Sequence, residues 1–408
     1  MRQQDTVLLD NLTARRHSSE GIKTSSREML LALADRHIEL AKIKRPDESP
    51  NYLEVDTAPY LDAALFEREM QAIWDRYPHV AGLSKDLPQP GSYLRIDDFK
   101  TPMFLTRTKS GQLKAFVNGC RHRGTAIVNE ERGSGKALFT CPYHGWSYDP
   151  NGALVGIPCG SAFEGLDKKE FGLIEIECEE RHGMIFVAPR VGQKLELDRH
   201  FDSALSDELS GWGFGDVEPI RIGPMVLDVN WKLVLDTFLE SYHFGAAHKD
   251  NLGIYYNANV NTADVYGKNM RYTIALKTIS TEFAALPLEE RVPENYISVA
   301  YILFPGMVLV TTPQILQMFR IFPQSVNKTV VQFATYSRLP LDAENKALME
   351  TIWQNAVDII MAEDFAFGAL TAQRTIASGA LKKIVFGRNE KLLQVAKQSI
   401  EDALKEVN

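Results

Sequence analysis

Apolar residues recur at helical spacing in two stretches near the start of the chain. One stretch runs from Ser26 to about Ile43 and the other from about Leu61 to Tyr77. Apolar side chains three and four residues apart share one face of an α-helix, and such a face is normally buried. Pro46 and Pro50 follow the first stretch and end it, because proline cannot continue a helix. We therefore predict two amphipathic helices that pack into a core.

From Ser92 the pattern changes to short strand-like runs separated by turn residues. The sequence Asp-Pro-Asn-Gly at 149–152 is a strong turn signal of this region. Further short strands continue to about Pro189. The first predicted strands are Ser92–Ile96, Met103–Arg107 and Leu113–Asn118. This pattern indicates a small all-β domain.

The second half of the chain combines further strands with two helices. The strand-like runs suit one antiparallel sheet that is covered on one face, and Asn327-Lys328 closes a hairpin. Helical spacing returns from about Asp342 to Ser378 and from about Asn389 to Val407. The predicted strands are Met225–Val229, Arg271–Thr278, Ile297–Leu303, Met307–Thr311, Gln317–Phe322 and Thr329–Tyr336.

Composition and charge exclude several classes of protein. The 408 residues carry a formal net charge of -8 and no long basic run, so nucleic acid is not an expected partner. No apolar run approaches the ~18 residues of a membrane helix, and residues 1–24 lack the apolar core of a signal peptide. The four cysteines do not resemble a secreted disulfide framework. We expect a soluble cytoplasmic protein of two domains, without a membrane partner.

Two cysteine–histidine pairs are the main candidates for chemistry. Cys120 and His122 form a Cys-x-His pair, and Cys141 and His144 form a Cys-x2-His pair after eighteen intervening residues. Zinc accepts two thiolates and two imidazoles, but its usual motif places a Cys pair before a His pair. One Cys and one His in each loop suits a [2Fe–2S] cluster with the cysteines on one iron and the histidines on the other. Both metals stay open at this point.

The two loops resemble the cluster-binding loops of Rieske proteins. The resemblance rests on Cys-Arg-His-Arg-Gly at 120–124 and on Cys-Pro-Tyr-His-Gly-Trp at 141–146. The glycine of each motif permits a tight turn that brings backbone amides close to the cluster. The resemblance implies a Rieske [2Fe–2S] cluster held by the two cysteines and two histidines of these loops.

A second pair of histidines, His243 and His248, lies in a helix-like stretch after Asn-Trp-Lys at 230–232. The pair is weak evidence for a metal, because five residues slightly exceed one helical turn. A local widening of the helix would bring both imidazoles to one metal. The stretch resembles the mononuclear-iron motif of Rieske oxygenases, Glu-x2-His-x4-His, in which Glu240 is the acid. The resemblance implies that both histidines bind iron.

The same resemblance implies a carboxylate ligand on a late helix. Two imidazoles and one carboxylate form the facial triad of non-haem Fe(II) oxygenases and leave positions open for O2 and substrate. Asp364 aligns with the family's carboxylate ligand. Its neighbour Glu363 would point about 100° away on an α-helix. We therefore predict Asp364 as the third ligand of the mononuclear Fe(II).

The resemblance covers nearly the whole chain and implies its fold. The expected fold is α+β, with a Rieske all-β iron–sulfur domain and a helix-grip catalytic domain, an antiparallel sheet around a long helix. The expected organisation is a flexible N-terminus at 1–24 and N-terminal helices at 25–84 that pack with the catalytic domain. The Rieske domain would span 85–192 and the catalytic mononuclear iron domain 193–408.

The activity implied is that of a ring-hydroxylating oxygenase alpha subunit. It would take electrons from a separate reductase or ferredoxin, activate O2 and hydroxylate a small hydrophobic, aromatic substrate by mono- or dioxygenation. The family commonly has aspartate where this chain has Glu240, and glutamate resembles the carnitine-type branch. An alternative is therefore the oxidative demethylation or C–N cleavage of a quaternary amine. A non-enzymatic Rieske electron carrier would need neither the second iron site nor so long a chain.

The resemblance also implies a head-to-tail homotrimer, in which the cluster of one subunit faces the iron of its neighbour. Glu240 would then accept hydrogen bonds from His243 and from His144 of that neighbour, because i,i+3 residues share a helix face. The substrate pocket is less defined, since its candidate residues could equally be sheet core. These candidates are Tyr272, Ile274, Tyr301, Leu303, Met307, Leu309 and Phe319.

Overall fold

The computed structural model describes residues 27–407 and divides them into two compact units. The small unit comprises Trp74–His200 and Phe214–Asp216, and the large unit comprises the other described residues. The segment 1–24, predicted to be flexible, lies outside the described residues. In the described part, no helix is both long enough and apolar enough to cross a membrane.

Helices and strands alternate along the whole described chain. The helices are α1 (Arg27–Ile43), α2 (Ala63–Glu69), α3 (Leu197–His200), α4 (Ser203–Ser210), α5 (Trp231–Asp236), α6 (Leu252–Tyr255), α7 (Glu282–Ala285), α8 (Ala343–Ile359), α9 (Leu370–Ala377) and α10 (Lys391–Lys405). The strands are β1 (Leu53–Asp56), β2 (His79–Leu83), β3 (Tyr93–Ile96), β4 (Met103–Arg107), β5 (Leu113–Val117), β6 (Arg132–Gly133), β7 (Phe139–Thr140), β8 (Ser147–Tyr148), β9 (Leu154–Gly156), β10 (Glu175–Ile176), β11 (Cys178–Arg181), β12 (Met184–Val187), β13 (Glu218–Leu227), β14 (Tyr256–Tyr266), β15 (Asn269–Leu276), β16 (Ile297–Leu303), β17 (Met307–Thr311), β18 (Ile315–Ser325), β19 (Lys328–Ser337) and β20 (Lys383–Phe386).

The small unit is built from short antiparallel strands, as the sequence predicts. Its sheets have the strand orders β10-β5-β4-β3-β6, β11-β12-β2 and β7-β8-β9. One hydrophobic cluster packs Phe104, Trp146 and Tyr148 against Cys120 and Cys141. A second cluster joins the five-stranded sheet to β2 and β12. The two cysteines are therefore anchored in an apolar core.

Strand β2 lies inside the predicted N-terminal helical region 25–84, yet it pairs with β12 in the small unit. The helix predicted for Leu61–Tyr77 is also shorter than expected. Helix α2 ends at Glu69, and a π-helical turn follows at Met70–Trp74. Every residue of β2 is buried, and a fully buried run lacks the periodicity that separates a strand from a helix. Residues 74–84 therefore belong with the β-rich unit.

A seven-stranded antiparallel sheet, β13-β19-β18-β17-β16-β15-β14, forms the core of the large unit. The strands predicted here are confirmed, and β16 and β17 have the predicted bounds. Strand β14 is an addition that the sequence analysis missed. It contains Asn257, Asn259 and Asn261, and asparagine is depleted in strands.

The strand register assigns the candidate pocket residues to opposite faces of this sheet. Tyr272 pairs with Ala300, whereas Tyr301 pairs with Arg271. Because side chains alternate between faces, Tyr272 shares its face with Ile274 and Phe319. The candidates on the other face are Tyr301, Leu303, Met307 and Leu309. One pocket cannot contain all seven residues.

The long helix predicted for Asp342–Ser378 packs against the Phe319 face of the sheet. Trp353 on α8 stacks on Phe333 with ring centroids 6.0 Å apart, and Phe333 pairs with Phe319. The segment is continuously helical but not uniform, because π-helical residues Ile360–Ala369 separate α8 from α9. Such π-helical insertions are frequent at functional sites.

A buried ion pair anchors the start of α5. Asn230 caps this helix by accepting a hydrogen bond from the backbone N–H of Lys232. Glu69 accepts hydrogen bonds from Lys232 Nζ at 2.6 Å and from Trp231 Nε1 at 2.9 Å. The side chains of Glu69 and Lys232 are only 1% and 10% exposed, so burial raises the pKa of Glu69 and lowers that of Lys232. The Asn-Trp-Lys sequence is thus a structural anchor.

We expect Lys232→Met to lower the free energy of unfolding by about 3–5 kcal/mol, because it leaves the Glu69 carboxylate buried without its partner. The double variant Lys232→Met/Glu69→Gln should recover part of the loss, since glutamine still accepts from Trp231. Equilibrium urea unfolding measures both effects. Lys383→Ala is the control, because Lys383 pairs with Glu54 at the surface and should unfold like the wild type. An unchanged urea midpoint in Lys232→Met would contradict the anchoring role.

Candidate metal sites

The two cysteine–histidine loops of the small unit share one turn geometry. Gly124 donates its backbone N–H to the carbonyl of Cys120 at 2.8 Å, and Gly145 donates to Cys141 at 3.0 Å. Both glycines have positive φ, 79° and 74°, a conformation that residues with side chains rarely adopt. A Cβ on Gly145 would also lie 2.9 Å from Pro158 Cγ. The motif glycines are therefore required by the backbone of both turns.

The four predicted cluster ligands lie together in these loops. Cys120 and Cys141 are buried, and the rings of His122 and His144 are 4.7 Å apart. Trp146 stacks almost parallel on His122, with ring centroids 5.0 Å apart. This stacking fixes the plane of the His122 ring. His144 is exposed, so one edge of the site is open to the surface of the small unit.

The side chains of this site fit a [2Fe–2S] cluster. His122 Nδ1 is buried and has no hydrogen-bond partner among the described residues. Both cysteines are free thiols, and burial raises the pKa of Cys120, whose Sγ lies 3.3 Å from the hydroxyl of Tyr148. Buried polar atoms without partners are rare, and a metal both satisfies the imidazole and deprotonates the thiols.

A second site lies in the large unit. His243, His248 and Asp364 each offer one ligand atom, and these atoms lie within 4.8 Å of one another. Asp364 Oδ1 is 3.3 Å from His243 Nε2 and 3.2 Å from His248 Nε2. These are the three iron ligands predicted from the sequence, and the structure brings them together.

The local structure that carries the histidines differs from the helix expected there. Helix α5 ends at Asp236, and a 3-10 turn at Tyr242–Gly245 then carries His243. His248 follows in a turn closed by the backbone hydrogen bond from Asn251 N–H to the His248 carbonyl, at 3.0 Å. The helix is therefore broken, and no widened α-helix is needed to bring the two rings together.

A glutamate contacts the other nitrogen of each imidazole. Glu240 hydrogen-bonds His243 Nδ1 and also accepts from the His243 backbone N–H at 3.1 Å. Glu363 Oε2 lies 2.5 Å from His248 Nδ1. A carboxylate at Nδ1 keeps the proton on that nitrogen, so the lone pair of a neutral imidazole is at Nε2. Both lone pairs are then on the nitrogens that face Asp364.

The expectation that Glu363 points away from the histidines is wrong. Glu363 and Asp364 are consecutive, yet both contact His248, one at Nδ1 and the other at Nε2. The expectation assumed the 100° step of an α-helix, whereas these residues lie in the π-helical stretch. No sequence signal distinguished that stretch from ordinary helix.

The charges at the second site favour a bound cation. Burial would lower the pKa of His243, but Asp364 and Glu240 raise it to about 10. Burial would raise the pKa of Asp364, but His243 and His248 hold it below its usual value. His243 Nε2 is buried and makes no hydrogen bond of normal geometry among the described residues. A metal at this point would replace the ring protons and satisfy all three groups, so the residues fit a mononuclear iron.

Two further polar side chains near the site, those of Asp236 and Asn251, were not predicted to belong to it. Asp236 is buried, which raises its pKa to about 8 despite the charge of Lys232, and it hydrogen-bonds the Tyr60 hydroxyl. Asn251 donates to both oxygens of Glu363 at 2.9 Å. Asn251 matches no motif, because its partner Glu363 is 112 residues away in the sequence.

Aromatic rings from the segments that carry the second site pack against one ring of the sheet. Phe238, in the segment between α5 and His243, is 4.8 Å from Phe319 and 6.0 Å from Phe365, measured between ring centroids. Phe319 lies on the same sheet face as Tyr272, and Phe365 follows Asp364 directly. The surroundings of the site on this side are therefore apolar.

Two family models match the sequence. The Rieske [2Fe-2S] domain matches residues 78–170, and the catalytic domain of the ring-hydroxylating alpha subunit matches residues 208–406. These two domains bind a [2Fe–2S] cluster and a mononuclear iron. The recognition made from the cysteine–histidine loops and the Glu-x2-His-x4-His motif is confirmed.

Curated relatives include both aromatic and quaternary amine oxygenases. The biphenyl 2,3-dioxygenase alpha subunit of Rhodococcus jostii is 34% identical over 200 residues, which are 47% of this chain and 42% of the relative. The glycine betaine monooxygenase oxygenase subunit of Pseudomonas aeruginosa is 32% identical over 203 residues, which are 47% of this chain and 44% of the relative. The similarity thus spans less than half the length of these relatives.

Solved structures share the fold. The quaternary ammonium Rieske monooxygenase CntA in complex with L-carnitine has a TM-score of 0.70 and 20% identity, covering 88% of this chain and 96% of that chain. Naphthalene 1,2-dioxygenase with bound indole has a TM-score of 0.64 and 19% identity, covering 86% and 95%. The predicted α+β fold, a Rieske domain with a helix-grip domain, is confirmed.

We expect Cys141→Ser to remove the visible absorption of the [2Fe–2S] cluster, because a serine oxygen is a poor substitute for the soft thiolate ligand. Ultraviolet–visible spectroscopy and analysis of iron and acid-labile sulfide measure the loss. Cys159→Ser is the matched control, since Cys159 is exposed and lies outside both motifs. A full cluster spectrum in Cys141→Ser would remove Cys141 from the ligand set.

Proposed function

Because this chain belongs to the Rieske non-haem iron oxygenases, as a ring-hydroxylating alpha subunit, we propose that it is the terminal oxygenase component of a multicomponent system. It takes electrons from a separate reductase or ferredoxin and hydroxylates a small organic substrate with O2. The observation that carries the proposal is the convergence of His243, His248 and Asp364 in a chain that also has the two Rieske loops.

In this proposal Cys120, His122, Cys141 and His144 hold the cluster, with the thiolates on one iron and the imidazoles on the other. When bound, the cluster supplies one electron at a time. The chain itself contributes the stacked Trp146, which orients His122, and the Tyr148 hydroxyl beside Cys120. A hydrogen bond to a ligand sulfur stabilises its negative charge and so raises the reduction potential.

His243, His248 and Asp364 hold the mononuclear Fe(II). This ligand set leaves positions open for O2 and substrate, and iron bound there supplies the reduction of O2. Glu240 and Glu363 keep protons on the two Nδ1 atoms, which directs Nε2 of each ring to the metal. Phe238, Phe319 and Phe365 exclude water from the adjacent space and present an apolar surface to a substrate.

The source of electrons is a separate protein in this proposal. The sequence lacks a Gly-x-Gly-x-x-Gly motif after a strand and lacks the cysteine spacing of a plant-type ferredoxin. The sequence therefore gives no indication of a nicotinamide or flavin site. A reductase or ferredoxin must dock near the cluster to reduce it.

The proposed substrate is a small hydrophobic, aromatic compound. The rings of Phe238, Phe319 and Phe365 pack together, and Phe365 follows the proposed iron ligand Asp364 in the sequence. They support this choice, since aromatic and apolar residues typically line pockets for such ligands.

A quaternary amine is the second candidate, with oxidative demethylation or C–N cleavage as the reaction. Glu240 supports it, because the sequence resembles the carnitine-type branch at this position, and the relatives include a glycine betaine monooxygenase. Aromatic faces can also bind a quaternary ammonium group by cation–π interaction.

The proposed assembly is a head-to-tail homotrimer, in which the cluster of one subunit faces the iron of its neighbour. Heterologous contacts of this kind close into rings. One carboxylate oxygen of Glu240 hydrogen-bonds His243 Nδ1, and the other accepts the His243 backbone N–H with a second lone pair left for His144 of the neighbour. His144 Nε2 lies 2.9 Å from Arg123 Nη2 within its own chain, so the proposed hydrogen bond to Glu240 would replace that contact. Glu240 would then connect the two metal sites across the subunit contact.

The test of the activity is O2 consumption by the enzyme with a generic reductase, NADH and a panel of biphenyl, naphthalene, glycine betaine and L-carnitine. We expect substrate-dependent O2 consumption, with a hydroxylated ring as product from an aromatic and with formaldehyde or a cleaved C–N bond from an amine. Asp364→Ala is the inactive control and should keep the cluster spectrum. An enzyme that holds three irons per chain but never couples O2 consumption to product would contradict the oxygenase assignment.

We expect Glu240→Gln to keep both metals and the oligomer but to slow severely the oxidation of the reduced cluster by O2 and substrate, because the amide is a weaker acceptor than the carboxylate. Single-turnover stopped-flow of the pre-reduced enzyme measures this rate. Size-exclusion chromatography and iron analysis serve as controls for assembly and metal content. Cluster oxidation at the wild-type rate would mean that electron transfer does not depend on Glu240.

A further inference from the structure

His248 is the more deeply buried of the two iron-site histidines, with 1% of its side chain exposed against 22% for His243. Each of its ring nitrogens faces a carboxylate of the long helix. Glu363 Oε2 lies 2.5 Å from Nδ1, and Asp364 Oδ1 lies 3.2 Å from Nε2. Consecutive residues therefore hold opposite edges of one imidazole ring.

Both acidic residues lie within the π-helical stretch Ile360–Ala369. Adjacent side chains of an α-helix diverge by about 100°. The wider π turn, with its i→i+5 hydrogen bonds, brings them closer together in direction. Both carboxylates that contact His248 thus come from the π-helical part of the long helix.

Asn251 fixes the orientation of Glu363. Its Nδ2 donates to both carboxylate oxygens of Glu363, each at 2.9 Å. Its Oδ1 accepts the backbone N–H of Leu252 at 2.6 Å, where Asn251 caps α6. The acceptor role of Oδ1 leaves Nδ2 as the donor, so the amide can only present N–H groups to Glu363.

The contact between Glu363 and His248 spans a much longer stretch of sequence than the contact between Glu240 and His243. Glu240 lies three residues before His243 in the same loop, so it can orient that ring only locally. Glu363 contacts a histidine 115 residues away and is bonded directly to the ligand-bearing residue Asp364. Glu363 therefore sets the position of one ligand segment relative to the other.

We propose that Glu363 is a positioning residue for the mononuclear metal, acting through His248 with Asn251 as its support; this rests on the proposed iron site. Glu363 keeps the proton on Nδ1, directs Nε2 toward Asp364 and raises the basicity of the ring. Carboxylates that contact ligand imidazoles in this way typically change metal affinity by about 10–100-fold when removed.

The experiment measures Co²⁺ binding to the full-length enzyme with its cluster intact and its mononuclear iron removed by mild chelation. Affinity follows from competition with a chelator, and the d–d absorption of Co²⁺ reports the ligand geometry. We expect Glu363→Ala to raise the Kd about 10–100-fold and to change the Co²⁺ spectrum. Glu363→Gln should fall between Glu363→Ala and the wild type, because its amide oxygen still accepts from Nδ1.

Asp358→Asn is the matched control. Asp358 is an exposed acid on the same long helix, and its carboxylate accepts a hydrogen bond from Gln354. The Kd of the Asp358→Asn variant for Co²⁺ should stay within about twofold of the wild-type value, since residues that share no partners usually contribute independently. An equal loss of affinity in Asp358→Asn would overturn the proposal, because it would mean that any change in this helix weakens the site.

A double-mutant cycle tests whether Asn251 acts through Glu363. Asn251→Ala should weaken Co²⁺ binding, whereas the same change in the Glu363→Ala background should have no further effect, because residues in one network are not additive. Independent, additive losses would overturn the supporting role of Asn251.

Two further outcomes separate this proposal from the proposed function. A wild-type Kd and spectrum in Glu363→Ala would overturn the positioning role and leave the iron site intact. Retained binding in Asp364→Ala, with complete loss in Glu363→Ala, would make Glu363 the ligand itself. Failure of the wild-type protein to bind Co²⁺ or Fe²⁺ at all would instead overturn the iron site and the proposed function.

Discussion

The large unit depends on one geometric constraint, which is that three ligand atoms from two distant segments must meet at one point. His248 and Asp364 are 116 residues apart in sequence and 3.2 Å apart at their closest atoms. A metal tolerates only small errors in ligand position, so the loop and the long helix need a common rigid support. The seven-stranded sheet supplies it on one side. The buried pair of Glu69 and Lys232 fixes the start of α5, from which the histidine loop emerges.

The two candidate metal sites present opposite nitrogens of their histidines. In the small unit, Trp146 stacks on His122 and leaves Nδ1 buried without a partner among the described residues. In the large unit, glutamates occupy Nδ1 of His243 and His248, and Nε2 faces the third ligand. Stacking fixes only the plane of a ring, whereas a carboxylate fixes both its rotation and its tautomer. The difference suits a cluster held by two tight turns and a metal whose ligands come from segments far apart in the sequence.

Charge balance is the second constraint on the large unit. Burial raises the pKa of Asp236 to about 8, while His243 and His248 hold the pKa of Asp364 below its usual value. Glu390 is also raised in pKa by burial, with Glu240 adding to the effect. Three acidic groups, Glu240, Glu363 and Asp364, surround the two imidazoles of the site. A divalent cation would offset the repulsion between them.

Short-range sequence patterns were sufficient to predict most helices and strands and most of the candidate ligands. The four residues of the two Rieske loops could be read from motifs because each pair lies within one turn, and the sheet strands could be read from runs of β-formers. Only the tertiary structure decided how these parts meet. It placed Glu363 on His248 through a π-helical stretch, paired Glu69 with Lys232 across 163 positions, and put Tyr301 on the sheet face opposite Tyr272. The reason is physical: local sequence determines which conformations a segment favours, whereas the direction of a side chain and its distant partners depend on the packing of the whole unit.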